Sequence, residues 1–231
     1  MISQREAGLA RLRARTFDVL IIGGGIVGAG IARDAAMRGL SVALIEQGDF
    51  GSGTSSKTSK LIHGGLRYLE HGHLRLVFES LRERGVLRAI APGLVHPLTL
   101  LLPVYAGDRR PVWKIRAGLW LYDLLAWGRN VRPHDLLSAR RAVAREPGLR
   151  LDGLRAAGLY ADCQMDDARV CLANILQAVS LGAACANYVR LRALLTAGHR
   201  VCGGAVQDLL TGRTFEIQAR VVVNAAGPWA D

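Results

Sequence analysis

Residues 17–46 read FDVLIIGGGIVGAGIARDAAMRGLSVALIE, and the reading of the fold starts from them. Val19 to Ile22 is a β-branched and leucine run suited to a strand buried on both faces. It passes without a spacer into Gly23-Gly24-Gly25-Ile26-Val27-Gly28, so a strand feeds a G-x-G-x-x-G turn. In such a turn Gly23 takes the tight bend and Gly25 removes the side chain where a pyrophosphate must approach the backbone. Gly28 lets the following helix sit close to the sheet. That helix is expected from Ile26 to about Arg38, lined by Ala29, Gly30, Ala32, Ala35 and Ala36, with an amide-rich N-terminus suited to an anion and Gly39 closing it. A second strand, Ser41 to Ile45, ends in Glu46. Its carboxylate can accept both ribose hydroxyls of an adenosine, and each charge-assisted hydrogen bond of this kind contributes roughly 1.5–3 kcal/mol. Glycine-rich turns are common, so the specificity of the signal lies in the ordered succession of strand, turn, helix, strand and acid. Glu46 would repel the 2′-phosphate of NADP and does not separate NAD from FAD.

The chain has 231 residues, half of them hydrophobic, enough for a sizeable core in one large or two modest domains. Its formal charge of +11 comes mostly from arginine, since Lys57, Lys60 and Lys114 are the only lysines. The arginines are spread along the chain. This balance fits a mixture of attraction for anionic ligands or lipid and simple solvated charge, and no basic block interleaved with aromatics points to nucleic acid. Cys163, Cys171, Cys185 and Cys202 form no C-x-x-C pair and do not cluster with histidine. They read as buried or incidental thiols of a reducing compartment, with no metal site. Residues 1–15 lack the apolar core of a signal peptide and are read as an N-terminal extension. No apolar run reaches the ~20 residues needed to span a bilayer. The run around Leu98 to Val104 is short and flanked or broken by Pro97 and Pro103, so the expected location is cytoplasmic, with any membrane contact peripheral and at the inner face.

After Glu46, residues 47–60 form a cluster of glycine, serine and threonine ending in two lysines. It can be a flexible linker, or a loop whose hydroxyls and amides contact a phosphate or flavin. Leu61 to Glu70 follows, with Gly64-Gly65 suited to backbone pressed against a flat ring. Leu74, Val77, Phe78, Leu81 and Gly85 recur at helical spacing up to Pro92-Gly93, and Leu98 to Tyr105 reads as a strand. Trp113 to Trp127 reads as a helix with Trp113, Ala117, Trp120, Leu121, Leu124 and Trp127 toward one side, expected to pack inside the protein rather than on a membrane. Ser138 is expected to cap a helix over 139–145, and Asp166 or Asp167 another over 168 to about 181. Val201 to Leu209 and Thr214 to Ile217 read as a hairpin, and Val221 to Asn224 as a final buried strand.

The segments SSKTSKLIHGGLRYLEHG (55–72) and IIGGGIVGAGIARDAAMRGLSVALIE (21–46) resemble the FAD-dependent, aerobic and quinone-linked glycerol-3-phosphate dehydrogenases, within the D-amino-acid oxidase-like flavoprotein superfamily. KLIHGGLRYLE is far more specific than the dinucleotide fingerprint. The likeness runs on through 98–103, 115–123 and 160–169, and closes at 223–229. It implies an α/β, Rossmann-like FAD-binding fold, a parallel sheet with a β-meander, carrying an inserted α+β substrate or cap domain. The expected division is 16–92 and 161–231 for the FAD-binding domain and 93–160 for the cap. Members of that family extend well past this length, so the chain is expected to be an N-terminal portion, C-terminally truncated.

The activity implied is oxidation of sn-glycerol 3-phosphate to dihydroxyacetone phosphate, with the C2 hydride passing to the flavin and electrons to a quinone. Gly23, Gly25, Gly28 and Glu46 would hold the adenosine diphosphate half. Thr54, Ser55, Ser56, Thr58, Ser59, Lys60, Leu61 and Ile62 would lie along the pyrophosphate, ribityl chain and ring. Val189 would meet the adenine through its backbone, and Ala226 and Gly227 would close over the pyrophosphate. Arg67, with Tyr68 beside it, is the candidate ligand for the substrate phosphate, because a guanidinium matches phosphate oxygens in a fork. His63 is either a proton acceptor for the substrate hydroxyl, a flavin-edge hydrogen-bond partner or a structural histidine. Two other readings stay open: a related FAD-dependent oxidase acting on an amine, an amino acid or glycerol phosphate with oxygen, and a nucleotide-binding module without turnover.

Overall fold

The computed structural model describes residues 4–230. In chain order it runs α1 (Gln4–Arg13), β1 (Phe17–Ile22), α2 (Ile26–Met37), β2 (Val42–Ile45), β3 (Leu61–Ile62), α3 (Leu74–Ile90), β4 (Val95–Tyr105) and α4 (Val112–Ala126). It continues with β5 (Asp135–Ser138), α5 (Ala139–Arg145), β6 (Leu154–Met165), α6 (Asp167–Ser180), β7 (Ala184–Ala186), β8 (Val189–Ala197), β9 (Arg200–Asp208) and β10 (Thr214–Asn224). Short 3-10 turns occupy Thr54–Ser56, Leu66–His71 and Gly227–Trp229.

The chain divides into two units, one running to Thr58 and resuming at Asp166, the other Ser59–Met165. In the first unit a six-stranded sheet has the order β7-β2-β1-β10-β9-β8. Its first four strands are parallel, and β10, β9 and β8 form an antiparallel meander. Strand alternation builds two cores. Leu20, Ala43 and Ile45 face one side with Leu9 and Leu12 of α1, while Ile21, Val42 and Leu44 face the other with the alanines of α2 and Ile175 of α6. Glycine and alanine along α2 let it lie close to β1 and α6, and Gly28, from which close helix–sheet packing was expected, is buried.

In the second unit β6 is the spine. β4 pairs with it antiparallel from Val95 opposite Met165 to Tyr105 opposite Leu154, and β3 and β5 also pair with it. α3 and α4 pack together over Val77, Leu81, Tyr122 and Ala126.

The described residues differ from the expectations at five points. By their contacts residues 59–92, expected with the first part of the FAD-binding domain, group with the second unit, since Leu61 and Ile62 pair with Gln164 and Cys163 and α3 packs on α4. The second unit ends at Met165, five residues past the expected end of the cap at 160. Of the expected extension 1–15, residues 1–3 lie outside the described residues, as does 231. Residues 4–13 form α1, which buries Leu9 and Leu12 in the core of the first unit. Arg5 fastens this helix by pairing with the buried Asp208 at 2.5 Å and donating to the Asn187 carbonyl at 3.1 Å. The Arg5 guanidinium, aided by the Thr211 hydroxyl and the Leu210 amide, holds the Asp208 carboxyl well below the usual carboxylate range.

On α4 the buried residues are Ile115, Leu119, Tyr122 and Ala126, whereas Trp113, Trp120 and Trp127 are 71%, 63% and 75% exposed. The aromatic side does not pack inside the unit. Finally, the hairpin's second strand and the last strand are one continuous β10. Ser138 and Asp166 cap their helices as expected, accepting from the Arg141 and Arg169 amides. Asp167 instead is buried and accepts from the Thr58 hydroxyl at 2.8 Å.

Candidate dinucleotide-binding site

The parallel registers bring three strand ends level. Ile22 lies beside Ile45 of β2 and Asn224 of β10, so the segments that follow, Gly23, Glu46 and Ala225, emerge side by side. Gly23 donates to the Ile45 carbonyl at 2.8 Å, and Ala225 to the Ile22 carbonyl at 2.8 Å. This is the carboxyl end of a parallel sheet, where α/β folds bind ligands. A cleft of about 1060 Å³ opens there, lined by residues that include Gly23, Gly25, Glu46, Thr54, Ser55 and Lys57 from the first half and Val189, Ala226 and Gly227 from the second.

Local chemistry fixes each wall. Gly23 has φ +111°, and a Cβ there would overlap the Ala225 carbonyl; a Cβ on Gly28 would overlap the Gly23 carbonyl oxygen. The first turn and the start of α2 therefore meet backbone on backbone. Gly25, the N-cap of α2, has no side chain to cap with, and Ser55 of the polar loop supplies the acceptor, its Oγ 2.8 Å from the Ile26 amide. Glu46 takes one amide on each carboxylate oxygen, from Gly24 and from Gly48, both at 2.7 Å. The carboxylate is thus oriented, and each oxygen keeps lone-pair capacity for a ribose hydroxyl. Beneath the turn, the Cys171 thiol donates to the Gly24 carbonyl at 3.4 Å. Burial and the nearby Glu46 push it up to about 11, so it serves as a neutral packing group.

These residues fit a dinucleotide: a glycine cradle at a helix N-terminus, an oriented acid at the second strand end, and a small-residue turn opposite. The cleft collects Gly23, Gly25, Glu46, Thr54, Ser55, Val189, Ala226 and Gly227, with Gly28 behind the turn. Val189 donates its amide to the Glu46 carbonyl at 2.8 Å, which ties the two expected adenosine contacts together. Ser56 is held by its own loop, its Oγ donating to the Gly53 carbonyl, and Thr58 by the start of α6, its Oγ1 donating to Asp167. Sequence reasoning did not single out Lys57, Asn224 or Trp229 as lining residues. No spacing marks them, because each reaches the cleft through a strand end or loop fixed by distant pairing.

The remaining candidates, Ser59, Lys60, Leu61, Ile62, His63, Arg67 and Tyr68, lie in the second unit. Lys60 has φ +59° and its carbonyl accepts from the Met165 amide at 2.9 Å, which starts the β3 pairing. Gly64 and Gly65 are buried, while His63, Arg67 and Tyr68 around them are exposed. The side chains of His63 and Arg67 make no hydrogen bond or ion pair among the described residues.

Against known proteins, the family model described as FAD dependent oxidoreductase matches residues 18–231. The chain is 42% identical to an alpha-glycerophosphate oxidase of Streptococcus pneumoniae, over 98% of its own length and 38% of that protein. It is 39% identical to an aerobic glycerol-3-phosphate dehydrogenase of Bacillus subtilis, over 99% of its length and 41% of that protein. The solved glycerol-3-phosphate dehydrogenase of Bacillus halodurans, complexed with FAD, superposes with a TM-score of 0.77 at 32% identity, covering 99% of this chain and 38% of that one. The chain thus spans about two fifths of the length of these relatives.

Proposed function

Because this chain belongs to the FAD dependent oxidoreductase family, we propose that it supplies the dinucleotide-binding half and part of the substrate-handling residues of an enzyme oxidising sn-glycerol 3-phosphate to dihydroxyacetone phosphate. The observation that carries the reading is the cleft at the joint ends of β1, β2 and β10, with Glu46 held between two backbone amides. The names of the relatives favour the substrate. Bound FAD would take the hydride from the substrate C2. Within the chain, Gly23, Gly25 and the amides opening α2 receive the pyrophosphate, and Glu46 receives the ribose hydroxyls. Arg67 binds the substrate phosphate in a bidentate fork with Tyr68 beside it, and His63 accepts the proton of the C2 hydroxyl. Electrons leave to a quinone. Oxygen is the competing acceptor, favoured by the oxidase name of the pneumococcal relative, and anaerobic assay with a soluble quinone against oxygen uptake separates the two.

Substitution of Arg67 tests the substrate assignment. Arg67→Ala should lower the rate of flavin reduction by glycerol 3-phosphate by about 100-fold, the scale of a lost charge-assisted fork, with bound FAD per chain unchanged. Flavin content and rate falling together would make Arg67 structural and remove it from the substrate site.

A quinone acceptor is reached from a membrane surface, and α4 has a face suited to one. Trp113 and Trp120 lie seven residues apart on one side of the helix, Trp127 stands at its C-cap, and all three are exposed together with Leu124, with Arg116 nearby. Among the described residues no helix is long and apolar enough to cross a membrane, so the contact proposed is peripheral. The Trp120→Ser/Trp127→Ser chain should co-sediment about tenfold less with phosphatidylglycerol-containing vesicles than the unsubstituted chain, since each lost indole removes an interfacial anchor. Equal binding would remove this face from the membrane contact.

A further inference from the structure

His63 is followed by a glycine held more tightly than an exposed bend requires. A Cβ on Gly64 would overlap Leu81 and come 2.6 Å from the Tyr122 hydroxyl oxygen, and Gly65, at φ +72°, leaves room for the Tyr68 ring. Behind the bend runs a continuous polar chain. The Gly64 amide donates to Tyr122 Oη at 2.8 Å, with a longer contact of 3.4 Å to Asp162 Oδ1. Tyr122 Oη donates in turn to Asp162 Oδ1 at 2.7 Å. Asp162 pairs with Arg84 Nη1, which also donates to the Ala161 carbonyl at 3.2 Å. Arg84 Nη2 reaches Asn130 Oδ1 at 3.1 Å, Asn130 Nδ2 reaches Asp123, and Asp123 Oδ2 accepts the His134 amide at 3.0 Å.

Arg84, Asp162 and Tyr122 are all buried, and Arg84 Nε is buried with no hydrogen-bond partner among the described residues. A buried pair pays desolvation that apolar residues of similar volume would avoid, so packing alone does not account for it. The donor directions are unambiguous. A carboxylate only accepts, so the tyrosine proton points at Asp162 and its oxygen is left to receive the Gly64 amide. Burial and the adjacent Asp162 hold the Tyr122 hydroxyl protonated, well above the usual phenol range. At its Tyr122 end the arrangement meets one backbone amide, the one directly after His63, and at its other end it runs through Asn130 and Asp123 to the His134 amide.

We infer that Arg84, Asp162 and Tyr122 are positioning residues for His63, acting by clamping the Gly64 amide; for catalysis this rests on the reading of His63 proposed above. The clamp is tested in the full 231-residue chain by amide hydrogen exchange of Tyr122→Phe, which removes one oxygen. The Gly64 amide should exchange about tenfold faster with the His63 ring resonances displaced, while the Leu20 and Ile21 amides in the other unit keep their rates. In the FAD-loaded protein kcat should fall about tenfold with KM for glycerol 3-phosphate unchanged, because geometry at the reacting proton is altered and phosphate binding is not. Asp162→Asn, which keeps shape and loses charge, should reproduce the selective exchange pattern. Unchanged Gly64 exchange, or equal acceleration at Gly64 and Leu20, would overturn the inference. Absence of turnover in the unsubstituted chain, which spans about two fifths of the length of its relatives, would leave the exchange pattern to decide the clamp.

Discussion

Gly28→Ala should yield a chain that retains no FAD and is destabilised by more than about 3 kcal/mol, the range reached when a core position is overpacked against backbone. The added methyl would overlap the Gly23 carbonyl oxygen and lie 3.1 Å from its carbon and 3.3 Å from Ile21 Cγ2. None of these is a flexible side-chain end. Gly23 cannot retreat, because a shift in its position runs into the Ala225 backbone on its other side and breaks its hydrogen bond to Ile45. The only relief is for α2 to lift from the sheet, which pulls the helix N-terminus away from Ser55 and opens the pyrophosphate cradle. Gly30→Ala is the control. It lies on the same helix, a Cβ there meets nothing within 4 Å, and alanine in a helix interior stabilises by up to about 1 kcal/mol relative to glycine. Urea midpoints and the ratio of flavin to protein absorbance read both variants. Stoichiometric FAD on Gly28→Ala with a near-native midpoint would break the account of the turn.

The same contrast separates what could be read in the sequence from what could not. The unit β1–α2–β2 was legible because all its signals are local: a buried-strand run, three spaced glycines, a row of alanines and a terminal acid within 30 residues of one another. Glu46 could be placed for the same reason. On α4 the sequence carries two apolar stripes, Ile115-Leu119-Tyr122-Ala126 and Trp113-Trp120-Leu124-Trp127, and both have helical periodicity. Periodicity cannot choose between them; only the surface they meet can, and side-chain size favoured the wrong one. The boundary near residue 58 was hidden because two short residues, Leu61 and Ile62, commit their segment to β6 a hundred positions later. α1 was hidden because a charge-rich helix with two leucines carries almost no amphipathic signal, although Leu9 and Leu12 are buried and Arg5 finds Asp208 across 203 positions. Among the candidate site residues, those following directly on β1, β2 and β10 converge in one cleft, while the bend residues His63 to Tyr68 take their positions from contacts with α3, α4 and β6 that spacing does not encode.

Arg84 and Asp162 illustrate the cost of such contacts, and Asp162→Ala should lower stability by about 3–5 kcal/mol, the penalty of leaving a buried charge without its partner. In the sequence both residues look like ordinary solvated charges. In the fold Arg84 is 1% and Asp162 2% exposed, and the guanidinium has no route to water once its counter-ion is gone. The loss also strands the Tyr122 hydroxyl, which donates to the same carboxylate oxygen, so two buried donors lose an acceptor at once. Removing both charges should cost much less: in Arg84→Met/Asp162→Ala the methionine keeps an apolar stem of similar length at a buried position and no buried charge remains. The double-mutant cycle, measured by urea unfolding, should therefore show coupling of about 2 kcal/mol or more, in the range found for residues in direct contact within one network. Additive losses would mean that the guanidinium finds solvent when unpaired and that the pair is not sealed. Strong coupling would mean that the protein keeps, at the back of the His63 bend, a costly polar pair for which apolar side chains could substitute in stability but not in holding the Gly64 amide.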